Sequence, residues 1–328
     1  MNNHYRKSGY LLEDFRLFYN SDSHRREIPF HYHDFHKLLI LLSGNTSYII
    51  EGKMYALQPG DIVLVRAGQI HRPVIHDDSL YERLIFYISP AFLEREDLQV
   101  LNLFHESAYE DTSEGKRANS KADKEARGVT GAAADREVRY AAGSPAPYAV
   151  NVIRLSGETR DYARGLTMQL KKEALDENAY AGSLMKKIKL IELLILLGRS
   201  LRTDQRSIGT EMTANPLILS VMDYINTHLT DDALSIDMTA EAVSVGRSYL
   251  MHLFKAQMGY TIGQYITEKR LYMAGTLIEK GMPVTQACYQ CGFKNYAAFY
   301  HAYRKKHNTA PARKSGQEPK QSLQVEGE

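Results

Sequence analysis

Three histidines fall within six residues of one another in the stretch FHYHDFHKLLILLSG, which covers residues 30–44. They are His31, His33 and His36, and a run of branched aliphatic residues follows them directly. Imidazole nitrogens bind zinc, iron or nickel, and they also hydrogen-bond to small polar molecules. The stretch therefore allows three interpretations: the metal site of an enzyme, the wall of a pocket that senses a small molecule, or the start of a strand with structural histidines.

The elements around these histidines are predicted to be β-strands. From about residue 37 to 88, short runs rich in branched and aromatic residues alternate with turns that contain Gly and Pro, such as QPGD and RAGQ. This spacing is typical of a sandwich or barrel of antiparallel strands. We therefore expect residues 1–108 to form a β domain.

A second region differs in composition. Residues 109–147 hold almost no large aliphatic side chains, so they cannot bury enough apolar area to offset their ordering entropy, and we expect a disordered insertion. Across 148–202 apolar residues recur at helical spacing, and the helix predicted near 184–201 is apolar over a wide arc. Such a helix needs a partner, so this segment is predicted to join two copies in a homodimer or to cover the β domain. Residues 203–214 are polar and are predicted to form a linker between the domains. Residues 315–328 are predicted to be a disordered tail.

The bulk composition argues against several classes of protein. A chain of 328 residues with 44% apolar content can bury a core in each of two domains. Its longest apolar runs, at 38–42 and 190–197, fall far short of the about 20 residues that cross a bilayer, and the N-terminal stretch is too charged for a secretory signal. We therefore expect a cytoplasmic protein without membrane contact. The two cysteines, Cys288 and Cys291, lack the second pair of a zinc site and are predicted to pack helices.

The net charge of +2 conceals an uneven distribution. Residues 1–215 carry 29 basic and 29 acidic side chains, whereas residues 216–315 carry 11 basic and 7 acidic ones. Four of those seven acids precede residue 238. The positive excess of the last third is compatible with a polyanionic partner, although a solvated basic surface has the same composition.

An internal repeat occupies the same region. Residues 235–246 align with residues 283–294 at an offset of 48, so that Ala240 matches Cys288, both small residues. Each copy has the layout of a helix-turn-helix, over about 236–257 and 284–306. A plain helical bundle with a wet basic surface is the alternative. The duplication argues against it, because packing alone does not require the same outward basic positions twice.

The second helix of each unit leaves one face for a partner. The outward residues are Arg247, Ser248, Met251, His252 and Lys255 in the first unit, and Asn295, Tyr296, Ala297, Tyr300, His301, Arg304, Lys305 and Lys306 in the second. Helices of this length fit the major groove of B-form DNA. The segment between the units, 261–280, is long enough for one helix of nearly 30 Å, which could hold the two outer helices about one duplex turn apart, roughly 34 Å.

Residues 215–314 resemble the DNA-binding domain of the AraC/XylS family of bacterial transcription regulators. The stretches that carry the resemblance are SYLMHLFKAQMGYTIGQYITEKRLYMAGTLI and VTQACYQCGFKNYAAFYHAYRKKHNTAP. The resemblance implies an all-α domain that binds promoter DNA, with RNA polymerase as a further partner. It implies base contacts from Ser248, Met251 and His252 and from Tyr296, Ala297, Tyr300 and His301. We assign phosphate contacts to Arg247, Lys255, Asn295, Arg304, Lys305 and Lys306.

Three departures from the family pattern bear on DNA recognition. Gly246 stands where the family usually has a capping Ser, which weakens the start of the first recognition helix by only a few tenths of a kcal/mol. His252 and His301 occupy positions often held by Arg, so bidentate reading of guanine is lost. The outer helix of the second unit is aromatic rather than polar. We therefore expect contacts to thymine methyl groups and phosphates to contribute more than usual.

The histidine stretch and GDIVLVRAGQIH together resemble the two motifs of the cupin superfamily, the usual sensory domain of these regulators. His31, His33 and His71 match the metal-binding histidines of that pattern, but Lys37 stands where the fourth ligand is usually Glu. Because an ammonium donates no lone pair and repels a divalent ion, we predict no metal. The four side chains are instead predicted to line a pocket for an uncharged polyol or an anionic metabolite.

The sequence thus predicts a two-domain α+β protein, with an N-terminal cupin-like jelly-roll barrel flanked by helices and a C-terminal all-α domain with two helix-turn-helix motifs. The predicted function is an AraC-type transcription activator, without catalytic residues, cofactor or metal, that responds to a sugar or related effector. The alternative is a metal-dependent cupin enzyme, an isomerase or dioxygenase, with an accessory DNA-binding domain. Stoichiometric metal in the purified protein would favour the enzyme.

Overall fold

The computed structural model describes residues 11, 13–23, 27–101, 103–104, 150–176, 178–203 and 212–311. The predicted insertion at 109–147, the predicted tail at 315–328 and most of the predicted linker at 203–214 lie outside these residues.

The N-terminal domain consists of two antiparallel sheets. Their strands are β1 (Phe15–Asp22), β2 (His36–Ser43), β3 (Thr46–Ile50), β4 (Lys53–Ala56), β5 (Ile62–Val65), β6 (His71–Ile75), β7 (Tyr81–Ile88), β8 (Val152–Ile153) and β9 (Met212–Ala214). One sheet has the order β1-β7-β2-β5-β8, and the other has the order β6-β3-β4-β9. The prediction of an antiparallel β domain is confirmed.

Strand β2 shows why the apolar run KLLILLS is continuous rather than alternating. Leu38 and Ile40 face helices on the outside of the five-stranded sheet, while Leu39 and Leu41 face the other sheet. Successive side chains of a strand point to opposite faces, so a strand covered on both sides needs apolar residues at every position. The same alternation places Lys37 on the inner face.

Among the described residues, this domain has the α-helices α1 (Pro90–Arg95), α2 (Gly157–Leu175) and α3 (Gly182–Thr203). Helices α2 and α3 share one apolar core with the outer face of the five-stranded sheet. Helix α3 buries Leu190, Leu193, Leu194 and Leu197 there, so this part of its apolar arc is covered by its own domain.

The C-terminal domain is helical, as predicted. Its helices are α4 (Pro216–Thr227), α5 (Ile236–Ala242), α6 (Arg247–Met258), α7 (Ile262–Glu279), α8 (Val284–Gln290) and α9 (Tyr296–His307). Helices α5 and α6 form the first repeated unit and α8 and α9 the second, with the 18-residue helix α7 between them. At 1.5 Å per residue, α7 is about 27 Å long.

The end of the predicted linker is a strand. Residues Met212–Ala214 form β9, which pairs with β4 so that Met212 lies opposite Tyr55 and Ala214 opposite Lys53. This pairing uses backbone groups at a sheet edge, so it needs no apolar pattern that the sequence would display. Asn215 follows at once as the N-cap of α4, its side chain accepting a hydrogen bond from the Leu217 amide at 3.0 Å.

Candidate functional site

The first helix-turn-helix unit exposes the predicted outward face of α6. Leu250 and Phe254 are buried in the core, one turn apart, and so set the orientation of the helix. The exposed side chains on the other side are Ser248, Met251, His252 and Lys255, together with Tyr249, which the sequence analysis did not single out. The turn before α6 holds Ser244 at φ 54°, a left-handed conformation that is uncommon for residues other than glycine.

The second unit exposes α9 in the same manner. Phe299 is fully buried, as the repeat predicts, and Tyr296, Ala297 and His301 are exposed. Tyr300 is partly buried and lies beside Tyr296, with ring centroids 6.2 Å apart. The exposed face of α9 therefore carries a short aromatic row of Tyr296 and Tyr300, which offers apolar contact surface together with hydroxyl donors.

Helix α7 is fastened to the rest of the domain by Arg270. This buried side chain donates from Nε to the Leu229 carbonyl at 2.8 Å and from Nη2 to the Asp231 carbonyl at 2.6 Å. Burial lowers the pKa of Arg270, and the nearby Asp231 and Asp232 oppose that shift. These bonds join the segment between α4 and α5 to α7.

The predicted phosphate-contacting residues fall into two groups. Lys255, Arg304 and Lys305 are exposed on the recognition helices. Each of the other three is engaged within the chain: Arg247 makes two 2.7 Å contacts with the Asp237 carboxylate, and Asn295 caps α9 by accepting from the Ala298 amide at 2.8 Å. Lys306 lies 3.1 Å from the Glu268 carboxylate with its side chain 7% exposed.

The predicted effector-site histidines meet inside the β domain. His31 and His71 form a two-residue bridge through reciprocal backbone hydrogen bonds of 3.0 and 2.9 Å. Their rings are 4.3 Å apart, and the ring of His33 lies 4.9 Å from that of His71. All three are buried, and one ring nitrogen of each lies within 4.8 Å of the other two.

Backbone carbonyls fix the orientation of all three rings. Nδ1 of His31 lies 2.9 Å from the Pro29 oxygen, Nδ1 of His33 lies 2.7 Å from the Phe35 oxygen, and Nδ1 of His71 lies 3.0 Å from the Gln69 oxygen. A carbonyl only accepts, so each Nδ1 carries a proton and each Nε2 is the ring nitrogen with a lone pair when the ring is neutral. The pKa of His71 is well below the ordinary value, chiefly because of burial and further because His31, His33 and Lys37 lie near it.

Lys37 lies on the same inner face, as predicted, and is also buried. Its Nζ is 5.9 Å from the ring centroids of both Tyr48 and Tyr87. The Tyr48 ring in turn stacks on His71 at 6.0 Å. The ammonium is thus set between two aromatic faces beside the histidine cluster, where cation–π attraction offsets part of its desolvation cost.

His36 belongs to a different environment on the opposite face of β2. Its ring stacks on Phe104 at 4.5 Å, and Nδ1 accepts a 3.1 Å hydrogen bond from the Ala67 amide. Burial and, secondarily, the charge of Arg66 lower the pKa of His36 to about 3. The first histidine stretch therefore splits into two inward-facing residues, His31 and His33, and one structural residue, His36.

The segments that carry the histidines also contact the C-terminal domain. Because side chains alternate, His31 and His33 point into the barrel, while Phe30 and Tyr32 join the apolar core that contains α4, α6 and α7. Ile70, directly before His71, joins the same core. Thus one face of each segment belongs to the histidine cluster and the other to the domain interface.

Polar contacts reinforce this interface. Glu51 lies 2.6 Å from Lys269 of α7 and accepts a 2.7 Å hydrogen bond from the Tyr265 hydroxyl. Tyr32 donates to Glu268, and the Lys306 ammonium lies 4.3 Å from the centre of the Tyr32 ring. Glu51, Glu268 and Lys269 were not predicted from the sequence, since nothing in their spacing distinguishes them from ordinary surface charges. A cleft of about 840 Å³ opens beside these contacts, between the two domains.

Comparison with known proteins gives a consistent result for both halves of the chain. Residues 15–113 match the model of an AraC-like ligand binding domain, and residues 239–315 match the model of a helix-turn-helix domain. The HTH-type transcriptional activator RhaS of Escherichia coli (strain SMS-3-5 / SECEC) is 24% identical over 286 residues, which cover 87% of this chain and 86% of RhaS. The probable transcriptional regulator LumQ of Photobacterium leiognathi is 35% identical over 92 residues, 28% of this chain and 37% of LumQ.

Among solved structures, ToxT from Vibrio cholerae matches 91% of this chain and 97% of its own, with 12% identity and a TM-score of 0.32. The DNA-binding domain of AdpA in complex with a target DNA covers 30% of this chain and 86% of its own, with 20% identity and a TM-score of 0.28. These likenesses are too weak to locate a ligand or a DNA contact on this chain. Within the described residues, no helix has the length and apolarity to span a membrane.

Proposed function

Because the chain belongs to the AraC family of transcription regulators, we propose that it activates transcription by binding promoter DNA, under the control of an effector held in its β domain. The observation that carries this proposal is the pair of helix-turn-helix units, each with an exposed recognition face on its second helix. The relatives are named as transcription regulators, so the alternative of a cupin enzyme with a DNA-binding accessory is not favoured.

In this proposal α6 and α9 enter successive major-groove segments on one side of a duplex. Ser248, Met251 and His252 of α6 reach base edges in one segment. The aromatic row of α9 does so in the next, where Tyr296 and Tyr300 offer contact to thymine methyl groups. Lys255, Arg304 and Lys305 are accessible for phosphates, while Arg247 and Lys306 exchange their carboxylate partners for phosphate.

Effector control follows from the shared segments at the domain interface. A ligand that reorients His31 or His33 also acts on Phe30 and Tyr32, because these residues alternate along the same few backbone bonds. The ligand then favours one packing of the β domain on α7 over another, and DNA affinity changes with it. The direction of the effect on transcription is activation, as in the relative named a transcriptional activator, with RNA polymerase as the partner recruited.

The uncovered side of α3 supports a homodimer. Leu184, Met185 and Ile188 are exposed on its first turns, with Leu184 57% and Ile188 50% exposed. We propose that this face packs against its counterpart in a second copy, as an isologous interface requires. Sedimentation velocity should show a dimer that Ile188→Glu dissociates, whereas Lys280→Glu, at the far end of α7, leaves it intact. A monomeric wild-type chain would contradict this part of the proposal.

The central test is selection of a binding site from a randomised duplex library by the full chain. The affinity for the selected site should fall steeply with salt, since phosphate contacts release counterions. Tyr300→Ala should weaken binding by about 1–3 kcal/mol, the cost of losing a base contact. Tyr289→Ala, an exposed tyrosine on α8 outside the recognition face, is the matched control and should leave binding unchanged. Failure to bind any duplex in a salt-dependent manner would overturn the proposal.

A further inference from the structure

We propose that the pocket beside His36 binds a small uncharged molecule, about the size of one six-membered ring, that carries a hydrogen-bond acceptor. The pocket lies on the outer face of the five-stranded sheet, opposite to the face that carries His31 and His33. Binding there stands on the geometry of the β domain alone. Only its consequence for DNA affinity rests on the proposed function.

The first argument is the size and the lining of the pocket. It holds about 140 Å³ between the start of β2, residues 90–104 and helix α3. Leu93, Leu103 and Leu194 are buried in its wall, while the exposed residues Glu94 and Gln99 lie at its rim. An apolar cavity of roughly 150 Å³ binds benzene in another protein, so this pocket has room for a molecule of one ring.

The second argument is the hydrogen-bond donor that His36 supplies. Nδ1 of His36 accepts from the Ala67 amide, so in the neutral ring Nε2 carries the proton and is a donor only. Among the described residues, no acceptor is bonded to this N–H. A ligand that places an oxygen against Nε2 therefore gives the donor a partner, which an apolar molecule of the same shape does not.

The third argument is the charge of the pocket. Burial and, secondarily, the charge of Arg66 lower the pKa of His36 to about 3, so the ring is uncharged near neutral pH. The described residues that line the pocket include no Lys or Arg, and Glu94 at the rim is acidic. A carboxylate or phosphate would find no cation there and would be repelled by Glu94, so an uncharged ligand is favoured.

His36 also connects the pocket to the domain interface. Its ring accepts from the Ala67 amide at 3.1 Å, and the next residue, Gly68, contacts helix α7. The Gly68 carbonyl accepts from Lys269 at 3.0 Å, and a Cβ on Gly68 would lie 2.7 Å from the Tyr272 ring. A ligand bound to Nε2 fixes the ring that holds this turn, so it favours one packing of the β domain on α7.

The test uses the full chain and two probes of nearly equal size, phenol and toluene, in a ligand-observed NMR titration. Phenol should bind with a dissociation constant of about 1 mM or tighter, as expected of a molecule with so few atoms. It should bind about fivefold more tightly than toluene, because only its oxygen accepts from His36. Failure of the folded wild-type chain to bind phenol, or equal affinity for the two probes, would overturn the proposal.

Three variants locate the site. His36→Phe keeps a ring against Phe104 but removes the donor, so the advantage of phenol over toluene should disappear. An equal loss for both probes would instead contradict the hydrogen bond. Leu98→Phe places a ring in the pocket and should weaken both probes at least tenfold. Val100→Phe, in the same turn of 3₁₀ helix but outside the pocket and 55% exposed, is the control and should bind as the wild type does. Unchanged binding in Leu98→Phe would overturn the assignment to this pocket.

DNA affinity separates this inference from the proposed function. Affinity for the selected duplex should differ at least twofold between phenol-saturated and phenol-free protein, and this difference should vanish in Leu98→Phe. Phenol binding without an effect on DNA affinity would overturn the coupling through Gly68 and leave the site. Phenol binding by a chain that binds no duplex would refute the proposed function alone.

Discussion

The two helix-turn-helix units share a plan but differ in how they join the β domain. The first unit shares one apolar core with that domain, since Leu250, Phe254 and Met258 cluster with Phe30 and Tyr32. The second unit has a core of its own, built around Phe293 and Phe299. Its described contact with the β domain is that of Lys306 with the Tyr32 ring, while Lys306 also pairs with Glu268 of α7, which accepts from the Tyr32 hydroxyl. The first unit is therefore joined to the β domain by a common apolar core, and the second by a single cationic side chain.

The largest expected difference in stability between the units concerns the turn between the two helices of each unit. Gly292 has φ +81°, and a Cβ there would lie 2.8 Å from the Leu229 carbonyl oxygen and 2.9 Å from Thr230 backbone atoms. Gly292→Ala should therefore destabilise the protein by about 2–4 kcal/mol, through backbone strain and displacement of the segment that Arg270 binds.

The matched change is Ser244→Gly in the first unit, where the aligned residue is exposed and already at φ 54°. Glycine relieves the left-handed strain, so this variant should be stabilised by up to about 1 kcal/mol. Denaturant unfolding measures both variants. If the two variants changed the free energy of unfolding equally, the contact of Gly292 with the segment between α4 and α5 would not distinguish the two units.

The shared core offers the second test. Phe30→Ala should cost about 2–3 kcal/mol, because the ring packs into the core of the first unit and against Gly259. Gly259 ends α6 in a left-handed conformation, and a Cβ there would lie 2.5 Å from the Phe30 ring. The variant should also separate thermal unfolding into two transitions, as the domains uncouple.

The control for the loss of an aromatic ring is Phe293→Ala, because Phe293 lies in the separate core of the second unit. It should lower stability without uncoupling the β domain from the first unit. Calorimetry distinguishes the two patterns, and a single transition in Phe30→Ala would argue against a common core.

The repeat made much of the C-terminal fold predictable. Both units bury the same positions, such as Ala240 with Cys288 and Leu250 with Phe299, so the pattern of buried residues occurs twice in the sequence. The histidine cluster was also predictable, because strand alternation sends His31 and His33 to one face. The domain interface was not predictable, because Glu51 and Lys269 come together only when the surfaces of the two folded domains meet. Strand β9 was not predicted for a similar reason, because its partner strand β4 is far from it in the sequence.

The helix caps provide a smaller test of the same contrast. Asn295 caps α9 through a 2.8 Å hydrogen bond from the Ala298 amide, whereas Gly246 precedes α6 without a side-chain cap. Asn295→Ala should cost about 1 kcal/mol of unfolding free energy, and Gly246→Ser should gain a few tenths of a kcal/mol.

If Asn295 contacts a phosphate as well, Asn295→Ala will lower DNA affinity by more than its loss of stability explains. Affinity measured well below the unfolding temperature separates the two roles. Unchanged affinity would assign Asn295 to capping alone.

The smallest expected effects concern the two engaged cations. Glu268→Gln removes the charge that holds Lys306 at the domain interface, and Asp237→Asn does the same for Arg247 within the first unit. Each freed cation should raise DNA affinity a few-fold, because an ion pair of this kind contributes about 1 kcal/mol or less. Each should also steepen the dependence of log K on log salt by about one.

The two variants should differ in how strongly the effector changes their DNA affinity. Glu268 of α7 binds both the Tyr32 hydroxyl of the β domain and the Lys306 ammonium of the second unit. Glu268→Gln weakens this three-residue contact, so the difference in DNA affinity between effector-bound and effector-free protein should shrink. Asp237→Asn lies in the unit that already shares its core with the β domain, so that difference should persist. DNA affinity measured with and without a small molecule that raises the unfolding temperature of the wild-type chain tests this for both variants. An undiminished response in Glu268→Gln would show that the contact of Glu268 and Lys306 with Tyr32 is not required for effector control.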